Sequence, residues 1–119
     1  MSTEIQDYIV KTTSTGWSPL NEEGVDCTGI NWMPLRWEEN RPVTFLLKLD
    51  PGASYPYHNH PAGEEILVLE GSCKLADIIF NKGDYLYTPP NFKHSVKSKN
   101  GCTLFLMVPE EVEILLDNN

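Results

Sequence analysis

The sequence predicts one all-β domain, a sandwich or barrel, and three observations carry that prediction. Nine Pro and eight Gly cut 119 residues into short segments. Several of those segments alternate apolar and polar residues with period two, as half-buried strands do. No segment shows a long helical period, and many short strands at regular spacing are the mark of an all-β architecture.

Taken in order, residues 8–12 read as a weak upstream strand. Between residues 13 and 29 the loop formers Ser14, Gly16, Pro19, Asn21 and Gly24 recur without apolar period, so this stretch reads as loop. Residues 32–37 form a second weak strand. Residues 42–49 place Val43, Phe45, Leu47 and Leu49 on one face, and Asp50-Pro51-Gly52 supplies the turn that ends them. Glu65-Ile66-Leu67-Val68-Leu69 is a near-continuous apolar run between Gly63 and Gly71, too short for an ordinary helix. Residues 74–80 follow as a strand closed by Asn81-Lys82-Gly83, and residues 84–88 and 103–108 complete the set. The tail is ambiguous: Val112, Leu115 and Leu116 fit a short helix opened by Pro109, whereas Val112, Ile114 and Leu116 fit a strand. The expected organisation is an N-terminal strand and loop region over 1–31, available as a dimer arm, a β-barrel over 32–108, and a tail over 109–119.

Composition narrows function. Nine Lys and Arg against seventeen Asp and Glu give 9 − 17 = −8, which speaks against binding nucleic acid, where basic residues must neutralise phosphates. The same balance opposes attachment to an acidic membrane surface. The longest apolar run, residues 104–108, is far short of a membrane span. The first residues show no basic region followed by an apolar stretch, so no signal peptide is expected. Three widely spaced cysteines, Cys27, Cys73 and Cys102, form no paired framework. They fit a reducing compartment, and the expected location is cytoplasmic.

The chemistry concentrates in the three histidines. His58 and His60 are two residues apart, so on an extended segment both side chains share a face. Glu64 follows the tight Pro61-Ala62-Gly63 bend, which can return its carboxylate to the same volume, and His94 lies thirty residues further on. Imidazole and carboxylate suit divalent first-row metals. Three imidazoles and one carboxylate leave coordination positions open, as a catalytic or sensing site requires and a closed structural zinc site does not.

Gly52, His58, His60, Glu64 and Gly71 follow the spacing of the first cupin motif, and Gly83, Pro89, Asn91 and His94 that of the second. The stretch over residues 60–71 especially resembles the ChrR-like cupins, found in anti-sigma factors and as small stand-alone proteins. The resemblance implies a double-stranded β-helix, or jelly roll, in a single domain. It also implies one divalent metal ion per chain (Fe, Zn, Ni or Mn) held by His58, His60, Glu64 and His94. Gly52, Gly71 and Gly83 would serve tight turns, and Pro89 would fix the chain before the strand bearing His94. Two positions depart from the pattern: Asn91 stands where Gly is usual, although Asn tolerates left-handed backbone, and Ser98 replaces a final Asn that carries no ligand. Glu65 competes with Glu64 for the carboxylate role, but the spacing to Gly71 favours Glu64, and adjacent strand residues face opposite ways.

The implied function is that of a metal-dependent, dioxygenase-like enzyme acting on a small chelating substrate. The alternative is a non-catalytic metal or small-ligand sensing module related to the cupin half of anti-sigma factors. Direct holding of a sigma factor is not expected, since the residues before His58 contain one cysteine and no histidine. A small-molecule ligand and a homodimer are the expected partners, with no nucleic acid and no membrane. No separate general base is visible in the sequence beyond the ligand set. Tyr55, Tyr57, Tyr85 and Tyr87 read either as pocket lining or as strand packing with a wet hydroxyl. Cys73 and Cys102 read as packing, and Glu110, Glu111 and Glu113 as a solvated face or a charged guard on an edge strand.

Overall fold

The computed structural model describes residues 3–115. Ten strands run through them: β1 (Ser18–Pro19), β2 (Ile30–Glu38), β3 (Arg41–Leu49), β4 (Ser54–His60), β5 (Glu64–Leu75), β6 (Ile78–Asn81), β7 (Tyr85–Thr88), β8 (Phe92–Lys97), β9 (Cys102–Met107) and β10 (Glu113–Ile114). Every pairing is antiparallel. One face of the roll runs β1-β2-β3-β9-β5-β7 and the other β6-β5-β8-β4-β10. The twelve-residue β5 belongs to both. Its first half pairs with β7 and β9, and its second half with β6 and β8. This is the rolled all-β domain that the sequence predicts.

Alternation builds the core. Val43, Leu47 and Leu49 of β3 are buried as expected, and Phe45 packs against the same cluster. Ile66 and Val68 of β5 meet Leu104 and Leu106 of β9, while Leu75 and Val96 continue the core across the second face. Each such side chain contributes about 1.5–3 kcal/mol through removal from water.

Several elements differ from the sequence expectation. Residues 8–12 form no strand: a 3-10 turn spans Ile5–Tyr8 and a single helical turn spans Thr12–Thr15. A strand needs a partner edge, and the edge of β2 is taken instead by β1, inside the stretch read as loop. Residues 74–80 are two strands, because Ala76 and Asp77 adopt φ of +50° and +65° and fold β5 back on β6. That hairpin lacks the Gly or Asn that usually announces one. The strand beginning at Glu64 runs through Gly71 instead of ending there, with an irregularity between Val68 and Glu70. The tail resolves to the strand alternative, β10, paired with β4; Leu116 lies outside the described residues.

Gly71 explains how β5 passes from one face to the other. Its φ is +72°, and a Cβ there would lie 2.2 Å from the carbonyl oxygen of Gly101. The neighbouring strand thus occupies the side-chain position itself. Gly83 also has positive φ, +91°, but nothing lies within 4 Å of its would-be Cβ. Gly83→Ala therefore carries only left-handed strain, about 1–2 kcal/mol. Gly71→Ala adds a backbone collision and should lower the thermal midpoint distinctly further; equal midpoints for the two variants would refute the close-approach account.

Candidate metal centre

Strand alternation brings the histidines together. On β4, His58 and His60 face inward and Asn59 faces outward. Across the β4–β8 ladder, His58 stands opposite His94 and His60 opposite Phe92. The chain then turns through Pro61-Ala62-Gly63 and returns as β5, whose first residue, Glu64, faces Thr88 of β7. Three imidazoles thus come from one face of the roll and the carboxylate from the other.

Two turns fix that meeting point. The carbonyl of His60 accepts hydrogen bonds from the backbone N–H of Gly63 (3.1 Å) and of Asn91 (2.7 Å). Gly63 has φ +81°, and a Cβ on it would sit 2.7 Å from the Thr88 carbonyl, so the two turns pack backbone to backbone. Asn91 adopts φ +67°, filling with Asn the left-handed position for which the motif usually has Gly. Ser98 is buried away from the cluster and donates its hydroxyl to the Ser72 carbonyl at 2.6 Å.

All four candidate side chains are buried, and their ligand-type atoms lie within 4.8 Å of one another. The imidazole centroids are 4.4 Å apart for His58–His60, 4.5 Å for His60–His94 and 5.3 Å for His58–His94. Backbone carbonyls set two tautomers. His58 Nδ1 is 2.6 Å from the Pro56 carbonyl, and His60 Nδ1 is 2.7 Å from that of Phe92. A carbonyl only accepts, so each Nδ1 carries the proton and each Nε2 presents a lone pair. Nε2 of His60 and both ring nitrogens of His94 are buried without a hydrogen-bond partner. Glu64 Oε1 lies 3.1 Å from His60 Nε2 and 3.3 Å from His94 Nε2, and Thr88 Oγ1 reaches the same oxygen at 3.5 Å. Buried nitrogens without partners are costly, and a cation at their common centre is the group that satisfies them. The donor set fits a divalent metal.

Electrostatics follow the same plan. Burial, the dominant influence, pushes His58 down to about 4, which keeps it neutral at physiological pH. Burial alone would raise Glu64, but the His60 and His94 imidazoles outweigh it and hold the carboxyl at about 2. Burial would lower His60, yet the Glu64 carboxylate prevails and raises it.

The other residues singled out lie elsewhere. Tyr55 is buried with its ring centroid 5.0 Å from that of His58 in an edge-to-face arrangement, and its hydroxyl donates to Glu22. Tyr85 and Tyr87 are exposed, and the Tyr85 hydroxyl donates to Glu65 at 2.7 Å, which turns that carboxylate away from the cluster. Cys73 and Cys102 are core residues, as their packing role required. An open cavity of about 660 Å³ lies between residues 19–31 and Asp50, and none of the four clustered side chains lines it. Sequence reasoning did not single out Glu22, which accepts from the Tyr55 hydroxyl, or Asn59, which donates to Glu113 and Asn91. Glu22 sits in a loop with no periodicity, whereas Asn59 was marked by its position between the two histidines.

Comparison with known proteins now decides the family, since the ChrR cupin-like domain matches residues 5–110. The chain belongs to the ChrR cupin-like family. DNA damage-repair/toleration protein DRT102 of Arabidopsis thaliana is 27% identical over 86 residues, covering 66% of this chain and 27% of the relative. The cupin chain thus spans about a quarter of that relative's length. An acetylacetone dioxygenase from Acinetobacter johnsonii superposes with a TM-score of 0.80 at 17% identity, covering 92% of this chain and 78% of the other. A Rhodobacter sphaeroides complex of SigE with the anti-sigma ChrR gives 0.67 at 20% identity, covering 87% and 55% respectively. At these identities the structural likeness is one of fold.

Two outcomes test the cluster. Glu64, held below its ordinary 4.5, lends stability that is present above that value and lost as pH falls toward 2. The thermal midpoint of metal-free protein should therefore drop between pH 4.5 and 2, and Glu64→Gln should flatten that drop; an unchanged slope would refute the assignment. Bound metal should leave well below neutral pH, because each imidazole must be neutral to coordinate and the free value is about 6.5. A full equivalent retained at about pH 4 would contradict three-histidine ligation.

Proposed function

We propose that this cupin holds one divalent metal ion through His58, His60, Glu64 and His94 and acts as a dioxygenase-like enzyme on a small chelating substrate. The observation that carries the proposal is the set of buried, partnerless imidazole nitrogens facing a carboxylate held ionised. Backbone carbonyls lock His58 and His60 with their Nε2 lone pairs available, so little reorganisation is needed to coordinate. The donors come from paired strands, which hold their separation better than loop residues would.

Charge points to the substrate class. Three neutral imidazoles and one carboxylate around a divalent ion leave a single net positive charge in a buried site. A monoanionic chelator, such as the enolate of a β-diketone, would neutralise it, and the fold is shared with an acetylacetone dioxygenase. When bound, the ion supplies Lewis-acid polarisation of the substrate's oxygen donors. The protein supplies neutral His58, ionised Glu64 and exclusion of bulk water. Fe, Zn, Ni and Mn all suit this donor set, and affinity alone favours nickel and zinc over iron.

The ChrR family match favours a second reading, in which the same site senses or binds without turnover. Elemental analysis of protein purified without chelators, followed by oxygen uptake with ferrous ion and a panel of diketones and small chelating acids, separates the two. Uptake that disappears in His94→Ala supports the enzyme. Tight zinc with no turnover of any candidate supports the sensor. His60→Ala should abolish stoichiometric binding under either reading; one ion per chain in that variant would overturn the ligand assignment.

The proposed setting is the cytoplasm, where the free thiols Cys27, Cys73 and Cys102 are stable. The proposed assembly is a homodimer. Tyr85, Leu67 and Phe105 lie in one row on the outer face, with Tyr85 55% and Leu67 37% exposed. Ile5, in the N-terminal region expected to serve as an arm, is 72% exposed. Leu67→Lys should convert a dimer to monomer by light scattering; an unchanged mass would exclude this face.

A further inference from the structure

We infer that Asn59, the residue between the two paired histidines, is a positioning residue that ties the C-terminal strand β10 to the metal centre. The inference rests on the metal reading above and adds a role for residues outside the ligand set. Asn59 faces away from the cluster, yet it is only 6% exposed. Its amide Nδ2 donates to Glu113 Oε1 on β10 at 2.7 Å and to Asn91 Oδ1, in the turn before β8, at 3.3 Å. An amide nitrogen has two hydrogens, and this one uses both.

Asn91 bonds a histidine directly, and Glu113 adjoins the residue that stands opposite one. Asn91 also gives its backbone N–H to the His60 carbonyl at 2.7 Å, so the turn leading to His94 is gripped through backbone and side chain together. Glu113 stands opposite Asn59 in the β4–β10 ladder, Ile114 stands opposite His58, and the Leu115 N–H donates to the Tyr57 carbonyl at 3.0 Å. Strand β10 contributes only two residues to its ladder, too few to hold an edge by backbone pairing alone. Ile114 packs against the core cluster, and the Asn59–Glu113 bond adds a directional side-chain tie that sets the strand's register beside His58.

Asn59 Oδ1 is meanwhile buried without a partner. An aliphatic side chain of similar size would fill the space and avoid that cost. The amide is therefore explained by the two hydrogen bonds it donates, which a filler could not make.

The test is cobalt(II) binding to metal-free full-length protein, read as the dissociation constant against a competing chelator and as the visible ligand-field spectrum. Asn59→Leu and Glu113→Ala should each weaken cobalt binding, about tenfold for Asn59→Leu, and alter the spectrum. Glu113→Ala should have no further effect in the Asn59→Leu background, because the bond it removes is already absent. Glu113 is exposed, so its variant decides the matter even if Asn59→Leu fails to fold. A lowered thermal midpoint with unchanged affinity and spectrum would make the contact merely structural and overturn the inference alone. Wild-type protein that binds no cobalt would overturn the metal reading and this inference with it.

Discussion

The site depends on His60, which makes contacts with two turns and a strand at once. Its carbonyl accepts from Gly63 and Asn91, and its Nδ1 donates to the carbonyl of Phe92. The first bond closes the turn that returns Glu64, and the second closes the turn that delivers His94. The third selects which nitrogen faces the cluster. One buried residue thus sets the relative placement of the other donors, because backbone bonds of 2.7–3.1 Å leave little slack. The absence of a Cβ at Gly63 allows both turns to approach closely enough for this.

Electrostatics and packing support each other here. A carboxylate as buried as Glu64 would ordinarily take up a proton, and an imidazole as buried as His60 would give one up. Side by side, each stabilises the charged form of the other. His58, whose Nδ1 is occupied by the Pro56 carbonyl, stays neutral instead. The cluster therefore contains a carboxylate held ionised beside imidazole nitrogens that face a common centre, with His58 a neutral donor held ready.

How much of this was legible in the sequence follows from what each feature depends on. The face shared by His58 and His60 is a property of extended chain, and the return of Glu64 is a property of a Pro-Ala-Gly bend; both are local, and both were readable. The strand containing Val43, Leu47 and Leu49 was readable for the same reason. The Ala76–Asp77 hairpin was not, since its positive φ angles are imposed by the pairing of β5 with β6 and not by the residue types. The upstream strand failed because pairing is decided by which edge is free, and β1 had taken it. The role of Asn59 required knowing that residues 91 and 113, distant in sequence, pack on the outward side of β4.

The division of β5 between the two faces of the roll has a consequence for how errors in folding are penalised. Sliding this strand by one residue would exchange its inward and outward side chains along its whole length. Glu64 would leave the histidines, Ile66 and Val68 would enter water, and Gly71 would vacate the one place where Gly101 leaves no room for a side chain. Proofreading of the metal pocket is thereby delegated to the oily interior: a chain that has sealed its core has already delivered the carboxylate to its address.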